Sequence, residues 1–173
     1  MPLSPNIIHA LSKMADQTQH VSLMIDGYDF WVKNFSDFTI HELKTIYQLR
    51  QQVFIIEQNC PYPDIDDADL TALHVFHRNH KNIDAYARIL IDDAGDFHIG
   101  RVVVTVDKRH QGLGHSLMKA AIQHCRNGGA NPQIIISAQS YLARFYRALG
   151  FQETGDYYLE DNIPHMRMIL PPA

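Results

Sequence analysis

The residues with the most chemistry to offer stand in one short run, Arg109-His-Gln-Gly112-Leu-Gly114-His-Ser116. It follows an apolar, β-branched stretch, Val102 to Val106, with the composition of a buried strand. After it Leu113, Leu117, Met118, Ala121 and Cys125 recur at helical spacing, so the run opens directly into an amphipathic helix. A helix start leaves backbone N–H groups without partners and carries the positive end of the helix dipole. Glycines at 112 and 114 remove the Cβ atoms that would hold an anion away from that backbone. Arg109 adds a permanent cation and Ser116 a hydroxyl donor. Residue types and spacing together describe a cradle for a phosphate or pyrophosphate.

Two familiar phosphate loops fail on particular residues. A P-loop needs glycines five apart and then Lys-Ser or Lys-Thr, whereas here the glycines are two apart and His115-Ser116 follows. The dinucleotide fingerprint needs a third small residue where this chain has Leu117. Another pattern matches. Arg109-x-x-Gly112-x-Gly114 after an apolar strand resembles the acetyl-CoA pyrophosphate loop of the GNAT superfamily of N-acetyltransferases. The run from Val53 to Asp66, Val-Phe-Ile-Ile-Glu-Gln-Asn-Cys-Pro-Tyr-Pro-Asp-Ile-Asp, resembles the signature of its ElaA-type branch. Phe145-Tyr146-Arg-Ala-Leu-Gly150-Phe151 is similar to the second GNAT motif, and Ile163-Pro-His165-Met to the ElaA-type ending. The resemblance covers about residues 29–170.

That resemblance implies an acetyl-CoA-dependent N-acetyltransferase acting on a primary amine by direct attack in a ternary complex. The pantetheine arm is then expected along Val102, Val103 and Val104, with an N–H near Val104 polarising the thioester carbonyl. Arg109, His110, Gln111, Gly112, Leu113, Gly114, His115 and Ser116 would wrap the pyrophosphate, and Tyr146 would protonate the leaving sulfur. Acetyl-CoA is the implied cofactor, coenzyme A the product, and no metal is called for. The alternative is a catalytically silent acyl-CoA-binding sensor of the same fold.

A base must also take the proton of the amine. Thr39 and Glu42 form a capping box, and the helix they open carries Leu43, Ile46, Tyr47, Val53 and Phe54 on one stripe. Steps of seven from Leu43 reach Arg50 and then Glu57, so two charged residues share that stripe. Burial there would raise the pKa of Glu57, which makes it the first candidate base. His165, after the rigid Pro164, is the second, because histidine accepts a proton near neutral pH. The plainer readings are a snorkelling Arg50, a Glu57 at a frayed helix end, a core Tyr146 and a surface His165.

Pro61 and Pro63 end the helix and Asp64, Asp66, Asp67 and Asp69 load the next loop with carboxylates. A calcium loop would need glycine and glutamate where Asp69 and Val75 stand. The loop is either solvated or an attractor for a cationic amine, with Arg50, Asp64, Asp66 and Arg88 as candidate acceptor contacts. Arg88, between apolar neighbours, also reads as half of a buried ion pair. His74, His77 and His80 do not share a strand face, which disfavours a metal site. Cys60 could carry an acyl group, but no His or Asn partner can be placed beside it.

These groups need a frame. The pattern predicts an α/β (α+β mixed), GNAT-like domain over residues 28–173 after an N-terminal extension at 1–27. Its sheet is expected to be mixed and mostly antiparallel, with about six to seven strands and about four helices. Strands are expected over 29–35, 83–91, 97–106, 133–138, 151–160 and 165–170, with a helix from Leu113 capped at Gly128-Gly129 and another over 139–150. Apolar residues make up 46% and charged residues 20% of 173, ordinary values for one globular domain. A net charge of −4 without a basic block gives nucleic-acid binding no support. No stretch reads as a membrane span or signal peptide, and two cysteines make no disulfide framework, so a cytoplasmic setting is expected. The expected partner is a small-molecule or peptide amine, for a monomer or homodimer.

Overall fold

The computed structural model describes residues 21–127 and 132–172. Strands β1 (Val21–Ile25) and β2 (Tyr28–Asn34) form a hairpin, followed by helix α1 (Ile40–Arg50) and a π-helical continuation, Gln51–Glu57. Then come β3 (Leu73–Asn79), β4 (Asn82–Ile91), β5 (Phe97–Val104), α2 (Leu113–Asn127) and β6 (Ile134–Gln139). A short α3 (Ala143–Arg147) leads to a closing hairpin, β7 (Gln152–Glu160) and β8 (Ile163–Leu170). The strands make one sheet in the order β1-β2-β3-β4-β5-β6-β8-β7, antiparallel except where β5 meets β6.

Alternation along β4 explains the layering. Ala85, Ala87 and Ile89 face α2, whose Leu113, Leu117, Met118, Ala121 and Cys125 fill one core with Val75, Ile134 and Met168. Tyr86 faces the other way, into a smaller core with Ile46, Leu49, Val53, Phe54, Phe76 and Val103. Helix α2 thus covers one face of the sheet, and α1 with its π-helical tail the other. The predicted capping box holds α1: Thr39 Oγ1 accepts from Glu42 N, and Glu42 accepts from the Thr39 N–H at 2.9 Å.

The fold class is the predicted one, with eight strands and three α-helices among the described residues. The added strand changes the expected boundary. Val21–Ile25 lies inside the sheet, paired with β2 through an Asp26-Gly27 turn of positive φ, 50° and 85°. Val21, Leu23 and Ile25 pack on the larger core, a period too short to stand out in the sequence. Residues 1–20 of the expected extension, and the Gly128-Gly129 cap, lie outside the described residues.

The second correction concerns α1. Its stripe does not run on at seven-residue steps, because Gln51–Glu57 is π-helical and each wider turn shifts the phase. Arg50 faces fully inward, 0% exposed, while Glu57 swings to the surface of a cleft.

Candidate active site

Strands β5 and β6 pair at only two positions, Phe97 with Ile134 and His98 with Ile135. Beyond them β6 continues beside β8, and β5 runs on to Val104 with the edge of Ile99–Val104 facing open space. A bulge interrupts the β4–β5 ladder, where Tyr86 and Arg88 oppose Val103 and Gly100, and Arg101 between them has φ 53°. The parting strands open a cavity of about 790 Å³ that Tyr146, His165, Glu57 and the 109–115 loop line.

One half of the cavity is built from backbone. After Val104 a 3-10 turn, Val106–Lys108, leads into the loop, and His110 and Gly112 both take positive φ, 61° and 87°. Gly112 is a position for glycine on conformation alone. At Gly114 a Cβ would meet Val104 Cγ2 at 3.4 Å and the Phe145 ring at 4.0 Å, ordinary contact distances. The first bond at the start of α2 runs from Ser116 N to Gly112 O at 3.0 Å, so the N–H groups of Leu113, Gly114 and His115 precede it. Gln111 is held from both sides: its carbonyl accepts from Tyr28 OH at 3.1 Å and its amide donates to Asp107 O at 2.7 Å.

Two side chains of this loop, those of Ser116 and Arg109, differ from expectation, while Leu113 keeps the apolar-stripe place its spacing predicts. Ser116 is buried and gives its hydroxyl to Asp26 Oδ2 at 2.9 Å, not to the cavity, because the β1–β2 turn packs against α2. The Leu113 side chain belongs to the core, which leaves only its backbone for a ligand. Arg109 is engaged: Nε donates to Val104 O at 3.1 Å, and the two terminal nitrogens reach Glu57 Oε1 and Oε2 at 2.6 and 2.9 Å.

That pair overturns the expected character of Glu57. A buried carboxyl with a raised pKa was anticipated; instead the Arg109 guanidinium holds the Glu57 carboxyl below its usual range. His165 has the geometry of an acceptor. Its Nδ1 lies 2.8 Å from the Ile163 carbonyl, which only accepts, so Nδ1 carries a proton, and in the neutral ring Nε2 is the nitrogen with the lone pair. Tyr158 stacks on the ring at 6.1 Å. Tyr146 is 6% exposed between Phe145 and Phe151, and burial pushes its phenol well above the usual range, so it holds its proton.

The four residues assigned to the acceptor are mostly spent elsewhere. Arg50 donates to Asp64 Oδ2 at 2.8 Å and to both Asp69 oxygens at 2.9 and 3.0 Å. Arg88 donates to Asp66 at 2.5 Å and Asp69 at 2.8 Å, and Arg101 lies 2.6 Å from Asp64. His74 adds Nε2 to the Asp69 carbonyl, and burial lowers its pKa to about 4. Asp64 and Asp69 are therefore buried counter-ions that, with the partly exposed Asp66, clamp the 59–70 loop onto the sheet, while Asp67 faces solvent. Arg50 and Asp64 are interior counter-ions, and Arg88 and Asp66 pair with each other. Burial pushes the Cys60 thiol up as well, against a role as a carrier nucleophile.

The sequence reading passed over several groups that line the cavity. Ser137 and Gln139 alternate with Ile134, Ile136 and Ala138 along β6, and that polar alternation was the available signal. Ser137 Oγ lies 2.5 Å from Tyr158 OH and donates to Glu160 at 3.0 Å. Tyr141 OH donates to Gln139 Oε1 at 2.6 Å, and Gln139 in turn to Gln58 at 3.3 Å.

A mixed sheet parted beside a glycine loop and helix start sets a strand edge next to N–H groups that open a helix, an arrangement suited to a long anionic ligand. Comparison with known proteins agrees. Residues 42–171 match the family described as an acetyltransferase (GNAT) domain. The chain is 38% identical to the protein ElaA of Escherichia coli over 149 residues, covering 84% of this chain and 95% of ElaA. It is 39% identical to a UPF0039 protein of Schizosaccharomyces pombe over 148 residues, covering 84% and 99%. Among solved structures, an acyl-CoA N-acyltransferase from Pseudomonas aeruginosa superposes with a TM-score of 0.77 at 38% identity, covering 82% of this chain and 98% of that one. The chain belongs to the GNAT acetyltransferase family and is a homologue of ElaA, which makes it an acyltransferase.

Proposed function

We propose that the chain transfers an acetyl group from acetyl-CoA to a primary amine, by direct attack in a ternary complex. The observation that carries this reading is the edge of β5 that no strand covers, Ile99–Val104, whose Val104 carbonyl is taken by Arg109 and which ends beside the N–H groups that open α2. An extended amide-bearing arm can hydrogen-bond to the strand edge while its pyrophosphate meets the helix start. Gly112 and Gly114 fit that use, one by conformation and one by leaving the gap beside Val104 free. In this reading Val102, Val103 and Val104 align the arm, and His110, Gln111, Leu113 and His115 contribute backbone to the pyrophosphate.

The protons have an assignable route. The Nε2 lone pair of His165 takes the proton of the attacking amine, directly or through one water. Tyr146, a phenol that keeps its proton, supplies one to the departing sulfur. Glu57 gives up the role of base because its pair with Arg109 stabilises the charged form and weakens it as an acceptor. The acceptor is a small-molecule or peptide amine.

Calorimetric titration of acetyl-CoA into the wild type and a Gly112→Val/Gly114→Val variant tests the donor site. Binding by the wild type, lost in a variant that still unfolds cooperatively, is the expected result. A folded wild type that takes up no acetyl-CoA sinks the reading. Binding without thiol release on any amine would leave the silent sensor.

A further inference from the structure

The Glu57–Arg109 pair joins opposite walls of the cavity. Glu57 closes the π-helical segment and Arg109 opens the donor loop, 52 residues later. The guanidinium fork is filled by both carboxylate oxygens, and Nε is turned back to the Val104 carbonyl. Arg109 and Glu57 remain 31% and 36% exposed, so water and ions reach the pair and its loss costs the fold little. Arg88 and Arg101 also line the cavity, but they are anchored on Asp64, Asp66 and Asp69 beneath it. Among the described arginines lining the cavity, Arg109 is thus the one whose partner can be exchanged cheaply. A fork that fits a carboxylate also fits a phosphate, with the same two parallel N–H···O bonds.

We propose that Glu57 is a displaceable counter-ion: donor binding exchanges its carboxylate for pyrophosphate oxygens on Arg109 and releases it into the cavity. This rests on the donor-site reading above. No bond is made or broken in the exchange, and charge is conserved around Arg109. Two effects are linked. The donor binds against the competition of Glu57, and the freed carboxylate then favours a cationic amine beside it. By reciprocity, acceptor and donor strengthen each other's binding by the same factor. Glu57 is then a positioning residue that acts through Arg109.

The test is calorimetric titration of coenzyme A, and of dephospho-coenzyme A, into the wild type, Glu57→Gln, Arg109→Gln and the double variant. Glu57→Gln frees the fork and is expected to bind coenzyme A about threefold tighter at low salt. The same gain is expected with dephospho-coenzyme A, since both ligands carry the pyrophosphate. On the Arg109→Gln background the gain disappears. Equal or weaker binding by Glu57→Gln overturns the exchange, because Glu57 would then be holding Arg109 ready for the ligand. A gain that survives in the double variant overturns it too. If the wild type binds neither ligand, the donor-site reading falls and the exchange falls with it; binding without the gain removes the exchange alone.

Discussion

Tyr146 and His165 stand on different elements and are tuned by opposite means. Tyr146 is desolvated between two phenylalanine rings, which raises its phenol and keeps it protonated. His165 is oriented by one hydrogen bond to a backbone carbonyl two residues away, which selects the tautomer. Replacing either group leaves the donor cradle untouched. Tyr146→Phe and His165→Gln are each expected to lower kcat on the order of a hundredfold. Their dissociation constants for acetyl-CoA should stay within about twofold of the wild type, within the range of near-neutral changes. Steady-state rates beside calorimetry separate the two quantities. A loss of donor affinity matching the loss of rate would return both residues to a packing role.

Among the elements, the buried ion network carries the clearest energetic statement. Arg50 is fully enclosed with Asp64 and Asp69, so removing it strands two carboxylates in the interior. Arg50→Met is expected to cost about 3–5 kcal/mol in denaturant unfolding. Arg147→Met, which breaks the exposed pair with Glu153, should cost at most about 1 kcal/mol. Similar values for the two would show that the network is wet and weak. These elements also show where sequence reasoning stops. The stripe from Leu43 put Arg50 on an apolar face, a pattern that is legible in sequence, but snorkelling and acceptor contact were the readings it suggested. It could not supply the partners, which come from a loop 14 and 19 residues on. Nor could it see the π-helical turn, so one phase error turned an enclosed acid at 57 into an arginine's counter-ion. Gly112 was legible because a left-handed backbone conformation leaves its mark on residue type. The hydroxyl of Ser116 was not, since its direction is set by Asp26, 90 residues away.

For the molecule as a whole, the two rungs between β5 and β6 have a mechanical meaning. They divide the sheet into a five-stranded plate, β1 to β5, and a three-stranded plate of β6, β8 and β7, stitched at Phe97–Ile134 and His98–Ile135. Fewer ladder pairs cross this seam than run within either plate, although one core under α2 spans both. A donor lying on the free edge of β5 acts as a removable strut across the wedge. Hydrogen exchange should therefore slow on acetyl-CoA binding at Ile99–Val104 and in the nearer part of β6, while β1 and β2 exchange as before. Uniform slowing over the whole sheet would mean that the two plates already move as one. On the proposed function, the same seam that a bound donor braces is the one its departure would relax.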